Sequence, residues 1–240
     1  MELLYKIFRL FLILLSRGLL LTLLMPAASC AKAWVADKLG DSTARLEGRM
    51  SMDFRRHTDR LGILAVLVFG FGWNKDMNID VSRLKRMKLD VTLISLAAPA
   101  AYFIMYVLLY NISALLFGLS TSSFILACVY SILRRAGRSC LYFGIIALLP
   151  IPPLDGFHIF YQFSPPKFRR WYFTNYQKIA YWSNYVLLGI FLLDSITDGE
   201  LSLLGFLGWL WRLLLDRLIF FSVDFTSVTE KILKIVFGYY

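Results

Sequence analysis

The chain has 240 residues, and its composition excludes an ordinary water-soluble globular protein. Apolar residues make up 58% of it and charged residues only 18%, against about 45–50% and about 25% in an average soluble domain. The net charge of +10 does not imply nucleic acid, because basic residues of a membrane protein concentrate in its cytoplasmic loops. We therefore expect an integral membrane protein that contacts the lipid bilayer and binds no nucleic acid.

The first apolar segment runs from Leu10 to Met25, follows Lys6 and Arg9, and carries Arg17 near its centre. Its length and flanking charges are compatible with a transmembrane helix or with a signal peptide. Arg17 interrupts the apolar core, and the small residues at 27–30 resemble a cleavage site only superficially. We therefore favour a transmembrane helix.

The next apolar run, residues 61–74, is too short to cross a bilayer as a helix, which takes about 20 residues. Basic clusters flank it on both sides, which favours leaving both of its ends on the cytoplasmic side. A re-entrant segment is therefore predicted, with Gly62, Gly70 and Gly72 permitting its bends.

Residues 91–133 carry no charge, and a single helix of that length would be roughly 65 Å long at about 1.5 Å per residue. Two crossings are expected here, with the turn in residues 118–123. Two more spans are predicted at 179–193 and 201–221, joined by an acidic loop.

The predicted architecture is an all-α polytopic membrane protein with about five to six transmembrane helices plus the re-entrant segment. Residues 1–221 form a single transmembrane domain, and residues 222–240 form an amphipathic tail that lies along the membrane.

A proline-rich segment, residues 147–158, contains the sharpest local signal in the chain. It includes Pro150, Pro152 and Pro153, followed by Leu154, Asp155 and Gly156. Prolines cannot continue a regular helix, and an ionisable residue at bilayer depth indicates a functional site. The simpler alternative is a broken helix with one solvated carboxylate. The sequence leaves open whether residues 123–160 form one broken helix or a span followed by a hairpin.

Four segments resemble one family. Residues 148–156, LLPIPPLDG, are very similar to the N-L-L-P-x-P-P-L-D-G motif of the site-2 proteases, which are intramembrane zinc metallopeptidases. Three further segments resemble the family's F-G-W-A-K-P, S-L-A-G-P and G-R-L-T-L-N-P-x-x-H-x-D-P-x-G blocks: Phe71, Gly72, Trp73, Asn74 and Lys75; residues 95–99; and residues 48–62 with His57. The resemblance is closest to the short bacterial members without a peptide-binding domain, and it implies a site-2 protease-like core in a bacterial cell membrane.

The family's H-E-x-x-H motif holds zinc through two histidines and supplies a glutamate as general base. The family's spacing to a Gly-Asp pair places these positions at Ala28, Ser29 and Lys32. The chain's only histidines, His57 and His158, lie far apart in the sequence. The counterpart of the third ligand, Asp155, remains. The resemblance therefore implies a catalytically inactive homologue in which the ligands of the family's zinc are missing, and we expect no cofactor.

Lys32 brings a positive charge to a position where relatives hold a metal. If the family's geometry applies, its ammonium lies within salt-bridge distance of Asp155 and neutralises the carboxylate in place of zinc. Other departures from the family pattern are Asn74 for alanine, Asp76 for proline and Tyr102 for asparagine.

The resemblance also implies a binding groove at residues 71–75, because this segment of active members receives an extended substrate. We expect the chain to bind or regulate another membrane protein by holding a transmembrane helix or peptide without cutting it.

Two other functions remain open. One is an active intramembrane metalloprotease with a non-standard metal site, for which Cys30, His57, Asp155 and His158 supply ligand types. The other is a transporter or channel, whose path would be lined by the few polar residues of the apolar segments: Arg17, Lys32, Asn111 and Asp155.

Overall fold

A computed structural model describes residues 2–70, 72–120 and 124–196 of the protein. The described residues form helices and no β-strand, which confirms the all-α class. The helices are α1 (Glu2–Leu19), α2 (Met25–Leu39), α3 (Thr43–Leu46), α4 (Phe54–His57), α5 (Arg60–Phe69), α6 (Met87–Ser120), α7 (Phe124–Ala147), α8 (Asp155–Phe163) and α9 (Pro166–Ile196). The predicted span at 201–221 and the tail at 222–240 lie outside the described residues.

Helices α1 and α2 form one continuous rod, with a π-helical turn at Leu20–Leu24 between them. The rod ends at Gly40, whose φ of 112° ends the helix in the left-handed conformation that glycine tolerates best. Within the described residues, two helices are long and apolar enough to cross a membrane, Lys6–Leu39 and Met87–Leu116. The count of five to six spans remains a prediction.

The core lies where α6 packs between α2 and α7. Its largest cluster joins Met25 and Ala28 of α2 to Tyr102 of α6 and to Cys140 and Phe143 of α7. Burial of this apolar surface stabilises the three-helix contact. It also brings Ala28 of α2, a position that the resemblance assigns to a catalytic motif, against the central helix.

The predicted re-entrant segment consists of a short helix and an extended strand-like stretch. Helix α5 begins after Asp59, whose carboxylate accepts from the Leu61 N–H, and ends at Gly70 with φ of 84°. The chain then runs back in extended form, and the Lys75 N–H donates to the His57 carbonyl at 2.8 Å. Gly62 permits this close return, since a Cβ there would overlap the Trp73 carbonyl.

The proline motif forms a turn between two helices. Helix α7 ends at Ala147, residues 148–154 turn, and α8 begins at Asp155. The helix is therefore broken between Ala147 and Asp155. Prolines remove backbone N–H donors and so exclude a continuous helix here.

One boundary prediction needs correction. Helix α6 continues to Ser120, so residues 118–120 of the predicted turn are helical. Gly118 and Ser120 each lower helix propensity by only about 1 kcal/mol or less, and no proline interrupts the backbone ladder in residues 118–120. Arg134 lies inside α7, and its guanidinium stacks over the Tyr110 ring at 4.3 Å.

Replacing Gly156 with alanine tests the turn. A Cβ at this position would overlap the Leu148 carbonyl, which is backbone and cannot rotate away. We expect Gly156→Ala to lower the free energy of unfolding by about 1–3 kcal/mol or more, measured by thermal unfolding in detergent. Gly189→Ala is the matched control, because a Cβ there meets no heavy atom within 4 Å. Equal unfolding temperatures of the two variants would contradict the packing described here.

Candidate functional site

Helix α2 carries the positions that the sequence resemblance assigns to a metal-binding motif, Ala28, Ser29 and Lys32. Ala28 and Lys32 are four residues apart and therefore lie on one face of the helix. That face points into the protein, since Ala28 is fully buried and Lys32 is 6% exposed. Ser29 lies beside Ala28 and lines the same cavity as Lys32.

Lys32 and Asp155 meet in this site. The Lys32 ammonium donates to Asp155 Oδ1, which α8 places at its first residue. The side chains of Lys32 and Asp155 are 8% and 14% exposed. Burial removes water that would screen the pair, so each charge depends on the other for compensation.

The ion pair extends to a second acid that sequence reasoning did not connect to it. Asp76 Oδ1 lies 3.9 Å from the Lys32 ammonium and accepts from His158 Nε2 at 3.2 Å. Asp155 and His158 lie on the same turn of α8. No spacing in the sequence pairs residues 76 and 158; the only hint is that Asp76 stands where the family has proline.

Asp76 remains ionised in this network. Burial alone would raise the pKa of its carboxyl, but the hydrogen bond and charge of His158 and the charge of Lys32 outweigh it and hold the pKa below the usual value. The Lys32 ammonium thus lies between two carboxylates on two different segments.

A second polar network surrounds Ser29, the position that the sequence resemblance assigns to a catalytic glutamate. Asn74 Nδ2 donates to Ser29 Oγ at 2.8 Å and contacts the Tyr102 hydroxyl at 3.0 Å. Tyr102 is 1% exposed, and its ring packs on Phe143 with centroids 5.4 Å apart. Ser29, Asn74 and Tyr102 are all departures from the family pattern, and they bond to one another across three segments.

The two networks line a small cavity of about 40 Å³. A buried water needs roughly 10–15 Å³, so the cavity has room for a few water molecules. Sites for small organic ligands are about 300–1,000 Å³, so this cavity is too small for a metabolite.

The extended segment, predicted above to form a binding groove, is bound through its backbone by a buried arginine. Arg49 is 6% exposed, and its guanidinium donates to the carbonyls of Lys75 at 3.2 Å and Asp76 at 2.8 Å. Trp73 is buried, whereas Lys75 is exposed. Phe71 lies outside the described residues. The stretch Gly72 to Lys75 therefore forms one wall of the cavity and continues to the surface.

The remaining candidate ligands lie in a separate cluster. Cys30 Sγ donates to the Ser51 carbonyl at 3.0 Å and lies 3.9 Å from His57 Nε2. His57 Nε2 donates to the same carbonyl at 2.6 Å, so the ring's proton is on that nitrogen. Cys30 and His57 thus donate to the same carbonyl, that of Ser51. His158 and Asp155 belong instead to the Lys32 network.

The donor groups at the family's metal position do not fit zinc. A catalytic zinc takes about three nitrogen, sulfur or oxygen ligands from the protein, but α2 offers a methyl group, a hydroxyl and an ammonium here. Across the described ranges, no group of three or more His, Cys, Asp or Glu side chains is arranged to hold a metal ion. Asn111, considered for a transport path, donates to the Val107 carbonyl within α6.

Comparison with known proteins shows a metalloprotease-like relationship. The chain is 32% identical over 144 residues to the putative zinc metalloprotease YwhC of Bacillus subtilis (strain 168). The match covers 58% of this chain and 64% of that relative, so the chain spans less than two thirds of the relative's length. No family model and no solved structure matches the chain.

Removing Lys32 tests the buried pair. Lys32→Ala leaves the Asp155 carboxylate uncompensated, which should destabilise the protein by about 3–5 kcal/mol. The double variant Lys32→Ala/Asp155→Asn removes both charges and should regain much of that loss. Chemical unfolding in detergent measures both. Equal losses in the single and double variants would contradict the pairing.

The lowered pKa of His57 predicts a loss of stability in acid. Burial lowers the pKa of its imidazole below the usual value, so the folded protein holds the ring neutral while the unfolded chain binds a proton. Stability should fall as the pH drops below about 6.5, by about 1.4 kcal/mol for each unit of pKa difference, until the lowered pKa of the folded protein is reached. The stability of wild type and His57→Gln, measured across this window, should show a weaker pH dependence in the variant. Identical slopes would contradict this assignment.

Proposed function

We propose that this chain is a catalytically inactive homologue of the site-2 proteases, embedded in a bacterial cell membrane, which binds or regulates another membrane protein. Support for the relationship comes from the four resembling segments and from the similarity to a zinc metalloprotease relative. Support for membrane insertion comes from the composition and from the two long apolar helices.

The contact between Lys32 and Asp155 carries the proposal of inactivity. A zinc enzyme polarises its substrate and activates water with a divalent cation held by about three protein ligands. An ammonium in contact with the remaining acid neutralises that acid and repels any divalent cation near it. The electrostatic role of the metal is therefore filled by a side chain with no Lewis acidity.

The hydroxyl at position 29 supports the same conclusion. A general base must accept a proton from the attacking water within hydrogen-bond reach. Ser29 Oγ is a weak base, and it already accepts from Asn74. A pairing of Ser29 with Lys32 as nucleophile and base is disfavoured as well, because the Lys32 ammonium donates to Asp155.

The residues that depart from the family pattern are hydrogen-bonded to one another or to Asp155, which favours a retained structural role. An unpaired buried polar group costs about 1–3 kcal/mol, whereas Ser29, Asn74 and Tyr102 bond to one another and Lys32 bonds to Asp155. These residues hold α2, the extended segment and α8 together. The scaffold that shapes the groove is thereby stabilised without metal.

The groove suggests what the protein does. The extended segment from Gly72 to Lys75 begins beside a small cavity and ends at an exposed side chain. Extended backbone of this kind binds peptides by main-chain pairing. Under this proposal, a partner's transmembrane helix or an extended peptide held here remains intact, because the described residues offer no group of three or more ligands for a metal ion that would activate water.

Restoring the lost ligands tests the proposal. The triple variant Ala28→His/Ser29→Glu/Lys32→His recreates the family motif opposite Asp155, so it should bind about one zinc per chain, whereas the wild type should not. Metal analysis of the purified proteins and cleavage of a transmembrane peptide in vesicles provide the measurements. Adding Asp155→Asn to the triple variant is the matched control and should abolish its zinc binding.

Two results would defeat the proposal. The wild type would prove to be an active metalloprotease if it held stoichiometric zinc and cut the peptide in a manner that Asp155→Asn abolishes. The assumed site geometry would be wrong if the triple variant folded normally but took up no zinc.

A further inference from the structure

Arg17 lies near the centre of the first apolar run and makes one polar contact. Its guanidinium donates to the carbonyl of Leu67. That carbonyl belongs to the last turn of α5, where carbonyls lack a helical partner. Arg17 thus caps α5 from α1, and its side chain remains half-exposed.

The positive charge of Arg17 is uncompensated in the part of the protein that the structure describes. Within residues 2–70, 72–120 and 124–196, no carboxylate lies within 4 Å of its guanidinium. A guanidinium offers five N–H donors, and the Leu67 carbonyl is a single neutral acceptor. Charged residues inside membranes cost free energy and almost always pair with an opposite charge. We therefore expect an anionic partner for Arg17.

The surface around Arg17 suits a helix. Leu10 and Leu14, 55% and 46% exposed, lie on the same face of α1 as Arg17. Leu64 of α5 is 52% exposed and lies one turn before Leu67, whose carbonyl Arg17 contacts. A Cβ at Gly18 would meet no heavy atom within 4 Å, which leaves open room for a second helix to approach closely.

We propose that this face, formed by Leu10, Leu14, Arg17, Gly18 and Leu64, docks a transmembrane helix of a partner protein that carries one aspartate or glutamate at the depth of Arg17. The inference rests on the proposed function, for which it names the class of partner. A carboxylate takes two parallel hydrogen bonds from a guanidinium, and low dielectric strengthens that pair.

The position of Arg17 along its apolar run favours a helix carboxylate over a lipid phosphate as its partner. Arg17 is roughly 10–12 Å along the helix axis from either end of the run Leu10–Met25, whereas phosphates lie at the membrane surface. The described spans of a second copy of this chain are poorer partners. The two described candidate spans contain only Asp37 and Asp90 as acids, and both lie near span ends.

Synthetic helices test the partner class. The full-length protein is placed in phosphatidylcholine vesicles at neutral pH with labelled, lysine-flanked polyleucine helices that carry aspartate, asparagine or leucine at the centre. Association is measured by energy transfer. Wild type should bind the aspartate helix at least about tenfold more tightly than the leucine helix, which corresponds to one step of 1.4 kcal/mol. Arg17→Leu should lose this preference, and Arg17→Lys should keep part of it.

Arg9→Leu is the matched control, because it removes an exposed α1 cation near the end of the run and should leave the preference intact. Thermal unfolding of each variant establishes that it is folded. Equal association of wild type with the aspartate and leucine helices would overturn the proposal.

Two other outcomes would overturn it in specific ways. Asp216 is an acid within the predicted span 201–221. A preference seen in Asp216→Asn but not in wild type would show that this acid of the same chain neutralises Arg17. A preference abolished by phosphatidylglycerol would assign the guanidinium to lipid headgroups. Zinc uptake and peptide cleavage by the wild type would instead defeat the proposed inactivity, and the preference for the aspartate helix would be unaffected by that result.

Discussion

The buried ion pair between the Lys32 ammonium and the Asp155 carboxylate determines how the rest of the site is built. Two charges taken out of water are tolerated only when their geometry and additional hydrogen bonds compensate for the lost hydration. Here the ammonium also lies 3.9 Å from Asp76, and Asp76 accepts from His158. The pair therefore ties α2 to α8 and to the extended segment, which are the three pieces that surround the cavity.

The polar contacts beside this pair likewise satisfy buried polar groups and fill space. A site emptied of metal ligands would ordinarily leave unpaired polar groups or a void, and either one destabilises a protein. Tyr102 fills space against Phe143, and Asn74 bonds to both Ser29 and Tyr102. Under the proposed function, these contacts replace a catalytic centre by a rigid frame, and the exposed part of the extended segment remains available to a partner.

The sequence predicts the parts of this arrangement that depend on local chemistry. Composition predicts the all-α class, and the prolines at 150, 152 and 153 predict the break between α7 and α8. Similarity to a known motif pointed to a meeting of Lys32 and Asp155, residues that no local pattern connects. Asp76 and His158 were missed as partners because their contact depends on how α8 packs against the extended segment, which no local pattern encodes. Residues 118–120 were wrongly placed in a turn because one glycine and one serine lower helix propensity too little to end α6.

An experimental structure of the protein grown or soaked with zinc tests the central claim most directly. The account predicts no anomalous signal at the zinc edge beside Asp155, with the Lys32 ammonium hydrogen-bonded to that carboxylate. An anomalous peak coordinated by Asp155 and at least one other side chain, with Lys32 turned away, would contradict it.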